Sequence, residues 1–479
     1  MVSILLVEPD FPFPNKSKHK ANKVHKNFVP LGLLKLGAFY KDQGDKVKLI
    51  RDNKKNPDVD FNPDKILITS LFTYWSSYVW DSIRKFRKLY PKAEIQLGGI
   101  YATLFANDEE FKEMCNEYDV NVHIGVHQKA ENYLPDYSLL SDVDYHATHM
   151  MRGCIRRCSF CGVWRIEPNR TNKTKDEIIQ ELKEIGKNKV VFYDNNILAN
   201  PHIKEILRSF QDLKINGRSV RFESQSGFDG RLLLKDKELA KLIKKAGFKN
   251  VKIAWDNGFD DKDSIKKQID LLVKAGYRPK NISVFMIYNY KIPFNQMVEK
   301  QKYCLKWGVQ VNDCRYRPLD EDSDGYNPHK WKKGQGPEDY FIYGEWEDEE
   351  IRGFRKLIRI HNIFLRYVKS KLDDFNERIS EYMSIEDPWD SLDYMKHEMG
   401  YKKKMERWSD INRCYKYFNL KKTPKLNKIK KNSKVKNRVR KLKKIKRYYK
   451  KNELDAPDFS NKSKKEIDKS INKIINEIS

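Results

Sequence analysis

The sequence contains no apolar run that approaches the ~20 residues of a membrane-spanning helix. Its first residues, Met1 to Glu8, lack the basic segment and the longer apolar stretch of a secretory signal peptide. We therefore expect a cytoplasmic protein that does not interact with a membrane. Internal repeats of the solenoid type are also missing, so a stacked repeat architecture is not expected.

Cysteine is scarce and unevenly spread. The chain has seven cysteines in 479 residues, and three of them lie between positions 154 and 161. A secreted disulfide framework would use an even number of cysteines in a short chain. Reduced cysteines in an intracellular compartment fit better, and the group of three then suggests a metal site.

The composition excludes a largely disordered chain. Hydrophobic residues make up 39% of the sequence and aromatic residues 12%, which is enough to build apolar cores. At this length, two or three domains with appended segments are expected.

The net charge of +28 is concentrated near one end of the chain. Residues 421–450 contain 16 Lys and Arg and no acidic residue, which leaves +12 for the rest, and the tail from Lys451 to Ser479 is balanced. A basic arm that binds nucleic acid would produce this pattern. A general lysine- and asparagine-rich composition would account for it equally well.

Strand and helix signals alternate twice along the chain, which predicts an α/β fold. In the first series, a helix over Leu33–Gln43 is expected, and Gly98-Gly99 follows a strand where a doubly wound sheet places its ligand-binding turns. The predicted strands of this series are Ile4–Val7, Val47–Ile50, Lys65–Thr69 and Glu94–Leu97.

The second series predicts six strands with helices between them, as in a parallel, barrel-like sheet. The expected strands are His146–Met150, Val190–Tyr193, Arg221–Ser224, Val251–Ala254, Ile282–Ile287 and Gln310–Cys314. The expected helices are Thr174–Gly186, Leu232–Ala246, Lys262–Ala275 and Phe294–Lys306, and a later one is expected over Ile351–Leu372. The predicted domains are 1–125 (doubly wound, Rossmann-like), 126–147 (linker), 148–320 (partial six-strand barrel), 321–420 (helical) and 421–479 (basic arm and polar tail).

The stretch Gly153 to Gly162, GCIRRCSFCG, contains Cys154, Cys158 and Cys161. Thiolates at this spacing on one loop can bind a single iron–sulfur cube. Three ligands for four irons leave one iron open to a small molecule, as an open zinc position admits a substrate. A structural zinc ion is the alternative, and His149 could then be the fourth ligand.

The same stretch resembles the signature of the radical S-adenosylmethionine superfamily, C-x3-C-x-aromatic-C, with Phe160 as the aromatic residue. The resemblance implies a 4Fe–4S cluster on the three cysteines and S-adenosylmethionine on the fourth iron. Reductive cleavage would yield a 5′-deoxyadenosyl radical that abstracts hydrogen from a substrate. The family also implies an electron donor such as a flavodoxin or ferredoxin.

Polar residues at the ends of three predicted strands match the positions at which this family binds S-adenosylmethionine. An acidic or amide group after the second strand would accept from the methionyl ammonium, and the third and fourth strand ends would meet the ribose, sulfonium or adenosine. The candidate cofactor-binding residues are Phe160, Asp194, Asn195, Asn196, Glu223, Gln225 and Asp256. Arg315 and Arg317, after the last strand, could meet an anionic group or form surface salt bridges.

Residues 1–125 are similar to the cobalamin-binding domain that is fused to many radical enzymes. The similarity rests on Pro30-Leu31-Gly32-Leu33 and on Leu97-Gly98-Gly99 followed by Ala102-Thr103. The Asp-x-His-x-x-Gly motif of base-off cobalamin proteins is missing, and His19 and His25 do not match it. Cobalamin bound without a protein ligand and a degenerate substrate or docking domain both stay open.

Three functions are compatible with these features. The first is a radical enzyme that acts on an unidentified small molecule, and the second is a radical enzyme that modifies RNA or DNA held by the 421–450 arm. The third is a non-catalytic iron–sulfur protein that binds nucleic acid. The open iron of the motif favours the two enzymes.

Overall fold

The structure is a computed structural model that describes residues 1–12, 28–52, 57–141, 143–326, 335–363, 365–366, 424–460 and 462–479. It divides into two units, Met1–Lys356 and Leu357–Ser479, and each is described by itself. The predictions that concern His19, His25 and residues 367–423 lie outside the described residues.

The first unit begins with a five-stranded parallel sheet whose strand order is β2-β1-β3-β4-β5. In β1, Leu5 and Val7 pack on one face while Ile4 and Leu6 pack on the other. A strand buried on both faces is typical of a parallel sheet covered by helices. The strands are β1 (Ser3–Pro9), β2 (Lys46–Asp52), β3 (Lys65–Ser70), β4 (Glu94–Gly99) and β5 (Val120–Val122), the last of which the sequence did not predict.

Helices cover both faces of this sheet. The helix α1 (Leu31–Asp42) lies on the face of Ile4 and Leu6, together with strands of the second series. The opposite face carries α2 (Ser76–Leu89), α3 (Ile100–Phe105) and α4 (Glu109–Glu117). The carboxyl ends of β3 and β4 line a cavity at one edge of the sheet, where ligands bind in folds of this order.

The segment 126–147, predicted as a linker, packs against the first sheet and α1. It contains α5 (Gln128–Glu131), and the Glu131 carboxylate lies 3.0 Å from the Lys35 ammonium of α1. Leu139 and Leu140 join the apolar core beside α1. The segment thus holds the two strand series together.

The second series forms two three-stranded parallel sheets, with orders β12-β9-β6 and β13-β14-β15. Lys249 N donates to Phe222 O at 2.8 Å, and Phe228 N donates to Lys252 O at 2.8 Å, so β12 runs beside β13. The strands are β6 (His146–Thr148), β9 (Lys189–Phe192), β12 (Arg221–Ser224), β13 (Val251–Ala254), β14 (Ile282–Tyr288) and β15 (Gln310–Arg315). The short hairpins are β7 (Met151–Arg152) with β8 (Thr171–Asn172) and β10 (Lys214–Ile215) with β11 (Arg218–Ser219).

The helices of this series largely follow the sequence pattern. The predicted capping box is present, because Thr174 and Glu177 cap each other at the start of α7. The prediction of a single helix over Leu232–Ala246 is wrong, because this segment forms two helices. Asp236 ends the first helix, and its carboxylate accepts from Glu238 N at 3.1 Å at the start of the second. The helices are α6 (Val163–Ile166), α7 (Lys175–Ile185), α8 (Ile203–Ser209), α9 (Gly230–Lys235), α10 (Glu238–Lys245), α11 (Lys262–Lys274) and α12 (Phe294–Trp307).

The helix expected over Ile351–Leu372 begins earlier, as α13 (Asp348–Ile363). In the second unit, the basic arm and the polar tail form α14 (Pro424–Lys451) and α15 (Lys464–Glu477). They pack through an apolar core that includes Val439 and Leu442 of α14 and Ile467 and Ile471 of α15. The balanced tail is thus an amphipathic helix that partners the basic one.

The expected α/β chain with parallel sheets is confirmed. The finer predictions, a cobalamin-binding-like first domain and a partial (β/α)6 barrel, stay predictions. Within the described ranges, no helix has both the length and the apolar composition that crossing a bilayer requires.

Candidate functional site

The three clustered cysteines lie on a loop at the carboxyl end of β6. Gly153 precedes them with φ +74°, and a Cβ there would meet Asn169 O at 3.0 Å and Glu167 O at 3.1 Å, so this turn requires glycine. Cys154, Cys158 and Cys161 are half-buried free thiols in the part of the chain that the structure describes. Burial raises the pKa of the Cys158 and Cys161 thiols, so a bound metal must displace their protons.

Asp194 holds the chain just before the cysteine loop. Its carboxylate accepts from Met150 N at 3.0 Å and from Met151 N at 2.7 Å, and it has no exposed surface. Asn200 Nδ2 donates to Met150 O at 2.9 Å, so the peptide groups of Met150 are held on both sides. Burial raises the pKa of Asp194 to about 7. Asp194 therefore positions the loop in this structure.

Salt bridges hold the loop at its start and near its middle. Arg152, two residues before Cys154, lies 2.8 Å from Glu131 and 2.8 Å from Glu167. Inside the loop, Arg156 Nε donates to Asp229 at 3.1 Å. No local pattern in the sequence indicates the pairing with Glu131 or Asp229, because both lie far from the loop along the chain.

Asn195 and Asn196 follow Asp194 and point to different neighbours. Asn195 Nδ2 donates to Glu167 at 2.9 Å, and Asn196 Nδ2 donates to Asp229 at 3.1 Å. Asn196 is buried, and its Oδ1 has no hydrogen-bond partner among the described residues. A buried acceptor without a donor costs about 1–3 kcal/mol, and a ligand can supply that donor.

These observations can be set against known proteins. Residues 148–288 match the family model of the Radical SAM superfamily. This stretch is a radical SAM domain. It supports a radical S-adenosylmethionine enzyme in general, and such a domain implies S-adenosylmethionine, usually a 4Fe–4S cluster, and typically a reductant partner. No curated protein matches the chain.

Two residues predicted to bind the cofactor lie at the end of the third strand of the radical SAM domain, and their surroundings differ. Glu223 of β12 is buried, and its carboxylate accepts from Lys252 Nζ at 2.9 Å and from Asn250 Nδ2 at 2.9 Å. Gln225 is half-buried, and its Oε1 has no hydrogen-bond partner in the described ranges. Gln225 can therefore accept a hydrogen bond from a ligand.

Asp256 follows β13 and is held from behind by a buried lysine. Lys300 Nζ, on α12, donates to Trp255 O at 2.8 Å and to Asn257 O at 2.9 Å, the carbonyls on either side of Asp256. Burial raises the pKa of Asp256 and lowers the pKa of Lys300 to about 8. The sequence pattern did not single out Lys300, because a lysine in a helix is usually exposed.

Aromatic side chains border the cysteine loop on its other side. The Phe160 ring lies edge-on to Tyr290 at 5.9 Å, and Ser159 Oγ is 2.8 Å from Tyr290 Oη. Tyr290 also contacts Tyr316, with ring centroids 4.3 Å apart. Phe160 is therefore placed by an aromatic cluster that follows β14 and β15, which sequence reasoning missed.

Two further predictions concern the arginines after the last strand and a site for a single metal ion. Arg315 forms a salt bridge with Asp324, as one of the two alternatives predicted. The prediction placed this salt bridge at the surface, whereas both side chains are buried. Across the described ranges, no three His, Cys, Asp or Glu side chains stand close enough to hold a single metal ion. A cubane requires less convergence, because each thiolate binds a different iron.

Proposed function

We propose that this protein is an enzyme that holds a 4Fe–4S cluster on Cys154, Cys158 and Cys161 and cleaves S-adenosylmethionine reductively to act on a substrate. The observation that carries the proposal is the loop itself. Three free thiols lie on one loop whose start is held by Asp194, beside strand ends with unused acceptors. When bound, the cluster and S-adenosylmethionine together supply the 5′-deoxyadenosyl radical.

The residues around the loop suit the cofactors. The thiols are the donors that iron prefers in such clusters. Asn196 Oδ1 and Gln225 Oε1, at the ends of neighbouring strands, each lack a donor within the described residues. An ammonium group carries three donors and no acceptor, so the methionyl ammonium fits these two oxygens. Asp256 and the Phe160 ring would then border the rest of the cofactor.

In this proposal, Asp194 does not contact S-adenosylmethionine. Because the carboxylate is fully buried and accepts from two backbone N–H groups, its contribution is to position the loop. Direct contact with the methionyl ammonium stays a prediction, and it would require the carboxylate to leave these groups.

Anaerobic reconstitution with iron and sulfide tests the cluster. We expect about four irons per chain, and Ala in place of Cys154, Cys158 or Cys161 should abolish the characteristic absorption. Cys314→Ala is the matched control, because Cys314 is an exposed thiol at the end of β15. A zinc-loaded, colourless wild type would overturn the proposal.

Nucleic acid as the substrate is the second candidate, favoured by the second unit. The basic segment 421–450 belongs largely to α14, which α15 stabilises through an apolar core. A helix of this charge would contact phosphates without reading sequence. Deleting 423–479 should then flatten the salt dependence of RNA or DNA binding while the cluster still assembles. Equal salt dependence with and without the segment would exclude this candidate.

A further inference from the structure

A cavity of 380 Å³ lies at the carboxyl edge of the first sheet, and neither Asn196 nor Gln225, whose oxygens are assigned to S-adenosylmethionine, lines it. The ends of β3 and β4 form one wall, and the start of α1 forms another. The third wall is His149 with Tyr193 and Asn195, which flank Asp194 in the chain. The cavity thus borders the turn that holds the cysteine loop.

The wall of this cavity is mainly apolar, and its charges are paired. Lys35 lies 3.0 Å from Glu131, and Arg152 lies 2.8 Å from both Glu131 and Glu167. Two cations thus meet two carboxylates within the wall. A charged ligand would have to break one of these pairs, which is costly in a half-buried site. The apolar contribution comes from Val29, Leu31, Leu36, Ile68, Leu71 and Ile100.

Two imidazoles of the wall have unmet hydrogen-bonding atoms. His149 Nδ1 and His123 Nε2 are buried, and neither has a partner within the described part of the chain. Burial holds the pKa of His149 well below its usual value, so this ring is neutral. A neutral imidazole has one donor and one acceptor nitrogen. Both rings line the cavity, so each can offer a nitrogen to a ligand there.

We propose that this cavity binds a small uncharged molecule with an apolar body and one hydrogen-bonding group, which His149 and His123 recognise. The paired charges of the wall disfavour an ionic ligand, and the apolar side chains of the wall would contact the apolar part of the molecule. The proposal does not depend on the radical chemistry, because binding requires only the side chains of the cavity wall and neither the cluster nor S-adenosylmethionine.

Phenol, benzene and benzoate test the proposal, because they share one ring and differ in the polar group. Each is titrated into the full-length reconstituted protein, and the shift in melting temperature gives the affinity. One hydrogen bond is worth about 0.5–1.5 kcal/mol, so phenol should bind about 2- to 12-fold more tightly than benzene. Benzoate should give no shift. His149→Phe combined with His123→Phe keeps both rings and should make the affinities for phenol and benzene equal.

Gly32→Phe locates the binding. A Cβ at Gly32, which lines the cavity, meets no atom within 4 Å, so the added ring has room to fill the space. This variant should lose phenol binding, whereas Gly353→Phe should keep it, because Gly353 is equally open but lies on α13. Phenol binding that survives in Gly32→Phe would overturn the proposal. A benzoate shift as large as that of phenol, or displacement of phenol by hydroxocobalamin, would also overturn it.

Discussion

The carboxylate of Asp194 accepts the backbone N–H of Met151 at 2.7 Å, across 43 residues of chain. One side chain at the end of β9 thereby holds the first residue of β7, which leads into the cysteine loop. A buried carboxylate that accepts backbone N–H groups makes strong hydrogen bonds, and the loss of either partner leaves the other unsatisfied. The position of the three thiols thus depends on a residue that binds no iron.

Asp194→Ala is expected to lower iron retention and S-adenosylmethionine affinity together. The substitution leaves the buried N–H groups of Met150 and Met151 without acceptors, at a cost of about 1–3 kcal/mol for each unsatisfied group. Iron per chain after gel filtration and the melting temperature of the apo-protein should both fall. A residue that only bound the cofactor would change affinity and leave iron content intact.

Asp236→Ala is the control for this experiment. Asp236 also accepts a backbone N–H, from Glu238 at the start of α10, but it lies outside the cysteine loop. We expect full iron content in this variant. If Asp194→Ala also keeps its full iron content and melting temperature, the positioning role is wrong.

Asn196→Ala is expected to weaken S-adenosylmethionine binding without loss of iron. A hydrogen bond from an ammonium to a neutral acceptor is worth about 1.5–3 kcal/mol, which corresponds to about a 10- to 150-fold change in dissociation constant. Titration followed by the electron paramagnetic resonance signal of the reduced cluster measures it. Asn121→Ala, on β5, serves as the control, and affinities that agree within about twofold would remove Asn196 from the site.

The sequence predicted those parts of the structure that depend on local pattern. The strands β12 and β13 have the predicted bounds, and the capping box of α7 was visible as Thr174 and Glu177. The spacing of the three cysteines predicted the radical SAM domain that the family match supports. Short-range periodicity and fixed spacing are properties of neighbouring residues, so they can be read without the fold.

The parts that the sequence did not predict depend on residues far apart in the chain. Asp194 looks like a solvent-facing or ligand-binding acid in sequence, and only its contacts with Met150 and Met151 show that it is an internal anchor. The place of Glu223 at the cofactor stays a prediction, whereas its salt bridge with Lys252 of the next strand has no local signal in the sequence. Which carboxylates are already neutralised is a property of packing, so composition and spacing cannot decide it.

Lys300 predicts a pH dependence of stability. Its folded pKa of about 8 lies below its ordinary value of 10.5, so between these values the unfolded chain binds a proton that the folded chain does not. Stability should therefore rise with pH over this window, and the gain should be lost as the pH falls through about 8. The full effect is on the order of 3 kcal/mol.

Thermal unfolding of Lys300→Met measures this effect against wild type from pH 7.5 to about 10. The stability of wild type relative to the variant should increase as the pH rises. Lys302→Met is the matched control, because Lys302 is an exposed lysine on the same helix. A difference between wild type and Lys300→Met that stays constant across the range would contradict the assignment of a proton to this group.

The central claim is that the reduced protein cleaves S-adenosylmethionine at the cysteine loop. The reconstituted enzyme is incubated anaerobically with dithionite and S-adenosylmethionine, and 5′-deoxyadenosine and methionine are quantified by mass spectrometry. We expect both products in equal amounts from wild type and from Cys314→Ala, and neither from Cys158→Ala. Absence of 5′-deoxyadenosine from wild type that holds four irons, or its formation by Cys158→Ala, would contradict the account.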